Sequence, residues 1–501
     1  MELKPSPRCF LLSGVLILAG LYLLCLRAYY VGFFNDDAFY VIGARSLLRG
    51  GFRELNAPGT PALVNFLPGY PALLALWSLI AGKSLLAAQL LSVALTILGL
   101  VLFWLCFSVE LPAAAAAACV LAAGFNPLSA SVSGTVLSDI PFFTATIGAF
   151  LAARAAWPSQ RPRTWAGVGA FMGAAFLIRP TGAALALALF LSLAAERRWK
   201  EAAWSAAGCA LVAAPWLARN ALISGVALSH GAELAAPFKA GTALSDLAGR
   251  IWRNAGYYGS ELFWRTLYRW PQFPGLGLLK GFTSVLCVVA LAAGLRAWGW
   301  RGWRKFFFVY FVIYAGLHLE LHLCSGRYIF TALPMVLPML FLGFEELGRR
   351  LGLGSKALWT ACVLSLALSA APVANIVAAS LWRHTALNTP PRKTLAWIRE
   401  QTRAEDVFAA ELDGRLHLIS GRRTVRLRKI FDPVQFGGWL RGAGAGYVLV
   451  APADYFMTTM SGSTMHDPMP LDRLARLLGD AKSFARVFQD EQEGIAIYRV
   501  L

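Results

Sequence analysis

The sequence predicts a mainly α polytopic membrane protein with a small C-terminal α/β domain. Three observations predict it. The 501 residues are 57% hydrophobic and only 15% charged, with a mean hydropathy of +0.57. Their apolar residues fall in repeated runs of about 18 or more, the length that crosses a bilayer as a helix. Near Arg383 the composition shifts, and shorter alternating strand and helix patterns take over.

The candidate spans are 10–30, 85–107, 112–131, 139–156, 165–179, 181–196, 202–222, 278–297, 303–324, 328–345 and 357–380. The first follows Lys4 and Arg8, and no small-residue cleavage site precedes Asp36, so it reads as a retained helix. Residues 66–82 are apolar but short, with Pro68, Gly69 and Pro71 at their start. They fit an interfacial helix within the first external loop, 31–84, or a further span. The pair 165–179 and 181–196 fits two spans or a re-entrant unit hinged at Arg179-Pro180, so the count is about 11–13 helices. A second long external loop covers 223–277 and is rich in aromatics and Gly.

Lys and Arg recur in alternate connectors. They include Lys4/Arg8, Arg154/Arg161/Arg163, Arg197/Arg198/Lys200, Arg296/Arg301/Arg304/Lys305 and Arg349/Arg350/Lys356. The positive-inside rule assigns these to the cytoplasm. Asp36, Asp37 and Asp139 then share the external face.

The transmembrane part is 1–382 and the soluble part 383–501. In the latter, TLAWIREQT reads as an amphipathic helix, DVFAAEL and YVLVAP as strands, LDRLARLLGD as a helix, and the end as a hairpin around Glu493-Gly494. Alternation of this kind suggests an α/β domain with its own core.

The net charge of +19 lies largely in connectors, where it reports topology. Some lies in the C-terminal part, where it favours anionic membrane lipids. Nothing points to nucleic acid. The eight cysteines lie in or beside apolar segments without a CxxC pair, which excludes a zinc ribbon and a disulfide framework. Gly442-Ala443-Gly444-Ala445-Gly446 imitates a dinucleotide fingerprint, but a strand follows it where a helix is required.

Asn35-Asp36-Asp37 is the main candidate site. Paired acids beside hydrocarbon are usually functional, and one acid raises the pKa of the other, which suits a general base. The same residues could also cap a helix. Asp139, in Ser138-Asp139-Ile140-Pro141, has the same two readings. Arg179 and Arg327-Tyr328 are cations at apolar boundaries that fit a phosphate or a snorkelling role. His318 and His322 share a helix face and could bind a metal or line the bundle. His230 and Glu233 could face a substrate from the second loop. A divalent cation at residues 36, 37 and 139 is left open.

Together these residues resemble the GT-C glycosyltransferases, specifically the bacterial glycosyltransferase family 39 group, which includes protein O-mannosyltransferase-like and lipid A aminoarabinose transferase-like enzymes. The resemblance rests on Asp36-Asp37-Ala38-Phe39-Tyr40, then Ala44-Arg45-Ser46-Leu47-Leu48-Arg49-Gly50, and Phe66-Leu67-Pro68-Gly69-Tyr70-Pro71. It continues through Ser138-Asp139-Ile140-Pro141, Arg179-Pro180-Thr181-Gly182 and Arg327-Tyr328 with Pro334 and Pro338, to Trp397-Ile398 and Ser420-Gly421-Arg422. Leu67-Pro68 departs from the two prolines of many members.

The resemblance implies a GT-C bundle with an external α/β domain, acting on a polyprenyl-phosphate-linked sugar donor and a lipid, glycan or protein acceptor. It implies Asp36 as base, Asp37 and Asp139 as positioning acids, and Arg327 with Arg179 and Tyr328 at the donor phosphate. Tyr40, Pro68, Tyr70 and His230 would belong to the substrate loops. The Arg- and Ala-rich composition fits a bacterium, hence its inner membrane, with the site and the C-terminal domain outside the cytoplasm. A transporter or flippase of lipid-linked sugars is the alternative, since it also needs acids and arginines near the bilayer.

Overall fold

The computed structural model describes residues 7–228, 244–269, 275–321, 324–383, 385, 388–452 and 470–501. They divide into two compact units: Met1–Leu26, Leu90–Gly134 and Ser138–Leu381 form one, and Arg27–Gln89, Thr135–Leu137 and Trp382–Leu501 the other.

The first unit is helical. Its helices are α1 (Pro7–Leu24), most of α4 (Leu85–Phe107), α5 (Ala113–Gly124), α6 (Pro127–Val132), α7 (Asp139–Ala156), α8 (Pro162–Ile178), α9 (Ala183–Ala195), α10 (Trp199–Ser224), α11 (Leu244–Ser260), α12 (Gly277–Trp298), α13 (Trp303–Glu320), α14 (Arg327–Arg350) and α15 (Lys356–Trp382). Among the described residues α4, α10, α12, α14 and α15 are long and apolar enough to cross a membrane.

Some expected spans are shorter or divided. The run 112–131 breaks into α5 and α6 at Asn126. The Asn126 side chain accepts from Ser129 N–H at 2.9 Å and donates to the Ala122 and Ala123 carbonyls at 2.8 and 2.9 Å. This satisfies the backbone groups that the break exposes. The pair around Arg179-Pro180 is two helices joined by a three-residue 3-10 turn, Pro180–Gly182, because Pro180 has no N–H to continue the ladder. The second long loop contains helix α11 and a π-helical turn, Glu261–Leu267. Its mixed composition hid an amphipathic helix.

Glycine sets the closest helix contacts. A Cβ on Gly173 would lie 2.7 Å from the Cys209 carbonyl oxygen, and Cβ atoms on Gly169 and Gly208 would collide with the carbonyls of Ser205 and Ala166. Thus α8 and α10 meet backbone to backbone, as small residues permit in membrane bundles. Gly294 and Gly343 do the same for α12 and α14.

The cationic connectors gather at one end of this unit. Arg304 makes a two-pronged pair with Glu110 at 2.9 and 2.7 Å. Lys305 meets Glu196 at 3.1 Å. Arg198 donates to the carbonyls of Trp157 and Ser159. The other ends of α7, α8 and α13 carry Asp139, Arg179 and the approach to Arg327.

The second unit contains α2 (Asp36–Leu47), α3 (Gly69–Ala81) and the C-terminal α/β domain. At 13 residues α3 spans about 20 Å, too short for a hydrocarbon core. It exposes Leu76, Leu79 and Ile80, as an interfacial helix does.

The C-terminal sheet has strands β1 (Val407–Ala410), β2 (Arg423–Arg426), β3 (Tyr447–Val450), β4 (Phe484–Asp490) and β5 (Ile495–Val500), in the order β2-β1-β3-β5-β4. β1 is parallel to β2 and β3, and the β3–β5 and β5–β4 pairs are antiparallel. Helices α16 (Arg392–Gln401) and α17 (Asp413–Ser420) cover one face, where Ile398 and Leu416 pack with Phe408 and Ala410. Helices α18 (Pro433–Gly442) and α19 (Leu471–Leu478) cover the other, where Phe436, Leu440, Leu474 and Leu477 pack with Val407 and Ala409. Strand β1 alternates between the two cores, which explains why it reads as a continuous apolar run. The Gly442–Gly446 stretch is the turn from α18 to β3.

Candidate active site

The acid pair opens α2. Asn35 occupies the N-cap position, but its side chain makes no capping bond. Its backbone lies at φ 61°, ψ −45°, a sparsely populated conformation for a residue other than glycine. Such positions cost about 1–3 kcal/mol and persist where surroundings impose them.

Asp37 is buried. Its carboxylate accepts from the Gly32 N–H at 2.6 Å and from its own neighbour Ala38 at 3.0 Å. Burial pushes its carboxyl up, to about 7, against the opposing pull of the Gly32 bond and the Arg415 charge; the Asp36 charge adds to the rise. Asp36 is only half-buried. The two acids therefore differ: one braces the loop and the other is the more accessible carboxylate.

The Phe66-to-Pro71 element packs on α2. Phe66 stacks on Phe39 at 4.9 Å and meets Tyr40 edge-on at 5.4 Å, and Tyr40 meets Tyr70 at 5.1 Å. Pro68 sits at the N-cap of α3. Tyr40 and Tyr70 are both buried.

The same unit holds groups that sequence inspection missed. Arg415, 1% exposed, donates from Nε to the Gly32 carbonyl at 3.1 Å and from Nη2 to the Phe33 carbonyl, while its backbone N–H donates to Asn35 Oδ1 at 2.8 Å. Asn56 donates to Asp413 at 3.3 Å. Burial raises the Asp413 carboxyl. Burial and the Asp413 charge raise Glu54 to about 7. No local pattern marks these residues, because 357 to 383 positions separate the hydrogen-bonded partners.

The other unit brings together Asp139, Arg179, Arg327 and Tyr328. Asp139 heads α7 but does not act as its cap. Its carboxylate pairs with Arg179 Nη1 at 2.7 Å and lies 3.9 Å from Arg327 Nε. Arg179 also donates to Ser138 Oγ at 3.3 Å and sits 5.1 Å above the Tyr328 ring. All three charged groups are buried, so the arginines do not snorkel.

His318 is buried beside them, 4.2 Å from the Tyr314 ring and 4.9 Å from that of Tyr328, with Nδ1 donating to the Tyr314 carbonyl at 2.9 Å. Helix α11 borders the group. Asn254 donates to the Leu319 and Leu321 carbonyls, both at 2.8 Å, and the Tyr258 ring faces His318 at 6.3 Å. His230, Glu233 and His322 lie outside the described residues. Among the described residues no group of three His, Cys, Asp or Glu side chains converges as a metal site.

Residues 61–219 match the family model described as dolichyl-phosphate-mannose-protein mannosyltransferase. No curated protein matches the chain by sequence. The fold is similar to that of ArnT from Cupriavidus metallidurans, solved bound to undecaprenyl phosphate: 13% identity, TM-score 0.60, with 98% of this chain and 97% of that chain covered. It is also similar to the oligosaccharyltransferase AglB from Archaeoglobus fulgidus, solved in complex with an inhibitory peptide and a dolichol-phosphate. That match has 12% identity, TM-score 0.57, and covers 99% of this chain and 74% of that one. The chain thus has the GT-C fold seen in ArnT and AglB, and its segment 61–219 resembles the dolichyl-phosphate-mannose-protein mannosyltransferases.

Proposed function

We propose that this protein is a membrane glycosyltransferase that moves a sugar from a polyprenyl-phosphate donor to an acceptor outside the cytoplasm. The observation that carries the reading is the family match over 61–219, which includes Pro68, Tyr70, Asp139 and Arg179. The lipid phosphates bound by ArnT and AglB support the same class of donor.

Asp36 is the base. It takes the proton of the acceptor hydroxyl or amine as the acceptor attacks the anomeric carbon. The bond from that carbon to the phosphate oxygen breaks, and the phosphate leaves with added negative charge. Arg327 and Arg179, held by Asp139, stabilise that charge, a role suited to guanidinium forks fixed in advance. A single displacement inverts the anomeric configuration. Asp37 braces the loop that carries Asp36.

The test uses purified protein in detergent, a panel of undecaprenyl-phosphate sugars and mass analysis of the products. Asp36→Asn should lower transfer by roughly 100- to 10,000-fold, the usual range for a general base, while the protein stays folded. Sugar-lipid movement across vesicles that survives this change, with no transfer by the wild-type chain, would establish the flippase instead. A product of retained configuration would overturn the single displacement.

A further inference from the structure

We propose that Arg415, in the C-terminal domain, is the positioning residue of the loop that presents Asp36; this rests on Asp36 being the base. The loop Tyr30–Asp37 is held from both of its polar sides. Gly32 gives its N–H to Asp37 and its carbonyl to Arg415. The next carbonyl, of Phe33, accepts from the other arm of the same guanidinium. That guanidinium lies 4.9 Å above the Phe33 ring and 5.9 Å above the Tyr30 ring.

Two residues further along, Asn35 has the positive φ that turns the chain into α2. Its side-chain oxygen accepts from the Arg415 backbone N–H and makes no cap. The fit extends to Gly414, where a Cβ would stand 2.7 Å from the Phe39 ring and 3.1 Å from Asn35 Oδ1. Residues Gly414 and Arg415 thus form a mould for the turn. An arginine holds two successive carbonyls with a rigid planar fork, whereas a lysine offers a compact charge on a flexible stem. Its charge also faces Asp37, together with that of Asp36. The C-terminal domain therefore sets the direction in which Asp36 leaves the turn, and Arg415 acts through Asp36 without touching substrate.

The test uses the full-length chain in detergent and the undecaprenyl-phosphate sugar that wild type turns over. Arg415→Lys keeps the charge but loses the fork, and Gly414→Ala keeps Arg415 but crowds Asn35. Both should lower kcat about 100-fold, the scale of a misplacement near 1 Å, with the donor KM within about threefold. Amide exchange at residues 32–37 should quicken at least tenfold while that of the bundle helices is unchanged. Wild-type kcat in both variants, or an equal fall in apparent affinity with kcat intact, would overturn the proposal. Global unfolding of Arg415→Lys would do so too, since it would make Arg415 a stability residue. Asp36→Asn is run beside them. If Asp36→Asn transfers at the wild-type rate while Arg415→Lys does not, the base assignment has failed separately from the loop geometry.

Discussion

A buried charge is tolerable only with a partner, and Asp139 and Asp37 meet this condition differently. Asp139 is 1% exposed between Arg179 and Arg327. Removing one member of such a group leaves uncompensated charge and costs about 3–5 kcal/mol. Asp139→Asn should therefore lower the thermal midpoint in detergent by several degrees, and Asp139→Asn with Arg179→Met should recover part of the loss. A double variant as unstable as the sum of the two singles would show that the pair is not coupled. Asp37 carries a pH dependence. Its carboxyl rises from 3.8 in the unfolded chain to about 7 in the folded protein, chiefly through burial. The folded protein therefore holds this proton to higher pH, and stability falls as pH rises from about 4 to about 7, then levels off. Glu54 contributes a fall of the same sign up to about 7. Thermal melts at pH 5 and pH 8 should differ less in Asp37→Asn than in wild type, and least in Asp37→Asn with Glu54→Gln. An unchanged difference would contradict the assignment.

At the scale of elements, the helix crossings make a sharper prediction than hydropathy does. Gly208 on α10 leaves no room for a Cβ against the Ala166 carbonyl, whereas Gly167 on α8 has nothing within 4 Å of a Cβ. Gly208→Ala should destabilise by about 1–3 kcal/mol or more through overpacking. Gly167→Ala should be neutral or stabilising by up to about 1 kcal/mol, since Ala is the better helix former. Equal melting points for the two would refute backbone contact between α8 and α10. The apolar runs made most long helices legible, and the Glu493-Gly494 turn made the final hairpin legible, because both signals are local. Asn126 escaped notice because a polar residue that satisfies carbonyls in its own chain breaks a span without lowering its hydropathy much. Helix α11 escaped because its polar face dilutes the average. The acid pair was legible as the start of α2. The loop geometry was not, since Arg415 is defined by what it touches and not by its neighbours in sequence. For Asp139 the helix start was legible, but the destination of its carboxylate was set by residues 40 and nearly 190 positions away.

The molecule as a whole is ordered by where its charges can reside. Within the helical unit, the connectors rich in Lys and Arg meet at one end, tied by Arg304–Glu110, Lys305–Glu196 and the Arg198 bonds to Trp157 and Ser159. Chain direction then puts Asp139 and Arg179 at the opposite ends of α7 and α8, each helix being about 26 Å long, close to the thickness of a hydrocarbon core. If the charge rule retains the basic end in the cytoplasm, the proposed acceptor outside the cytoplasm requires the acidic end to face away from it. The expected outcome is therefore a two-sided labelling pattern in intact bacterial cells expressing the chain. A cysteine placed at Ser159 or Arg301 should resist a membrane-impermeant maleimide until the membrane is opened. Cysteines at Lys83 and at Arg403, in the C-terminal domain, should react from outside. Labelling of Ser159 and Arg403 from the same side would invert or remove the topology on which an external transfer site depends. Protection of both until lysis would place the C-terminal domain in the cytoplasm, where an acceptor outside the cell could not be reached.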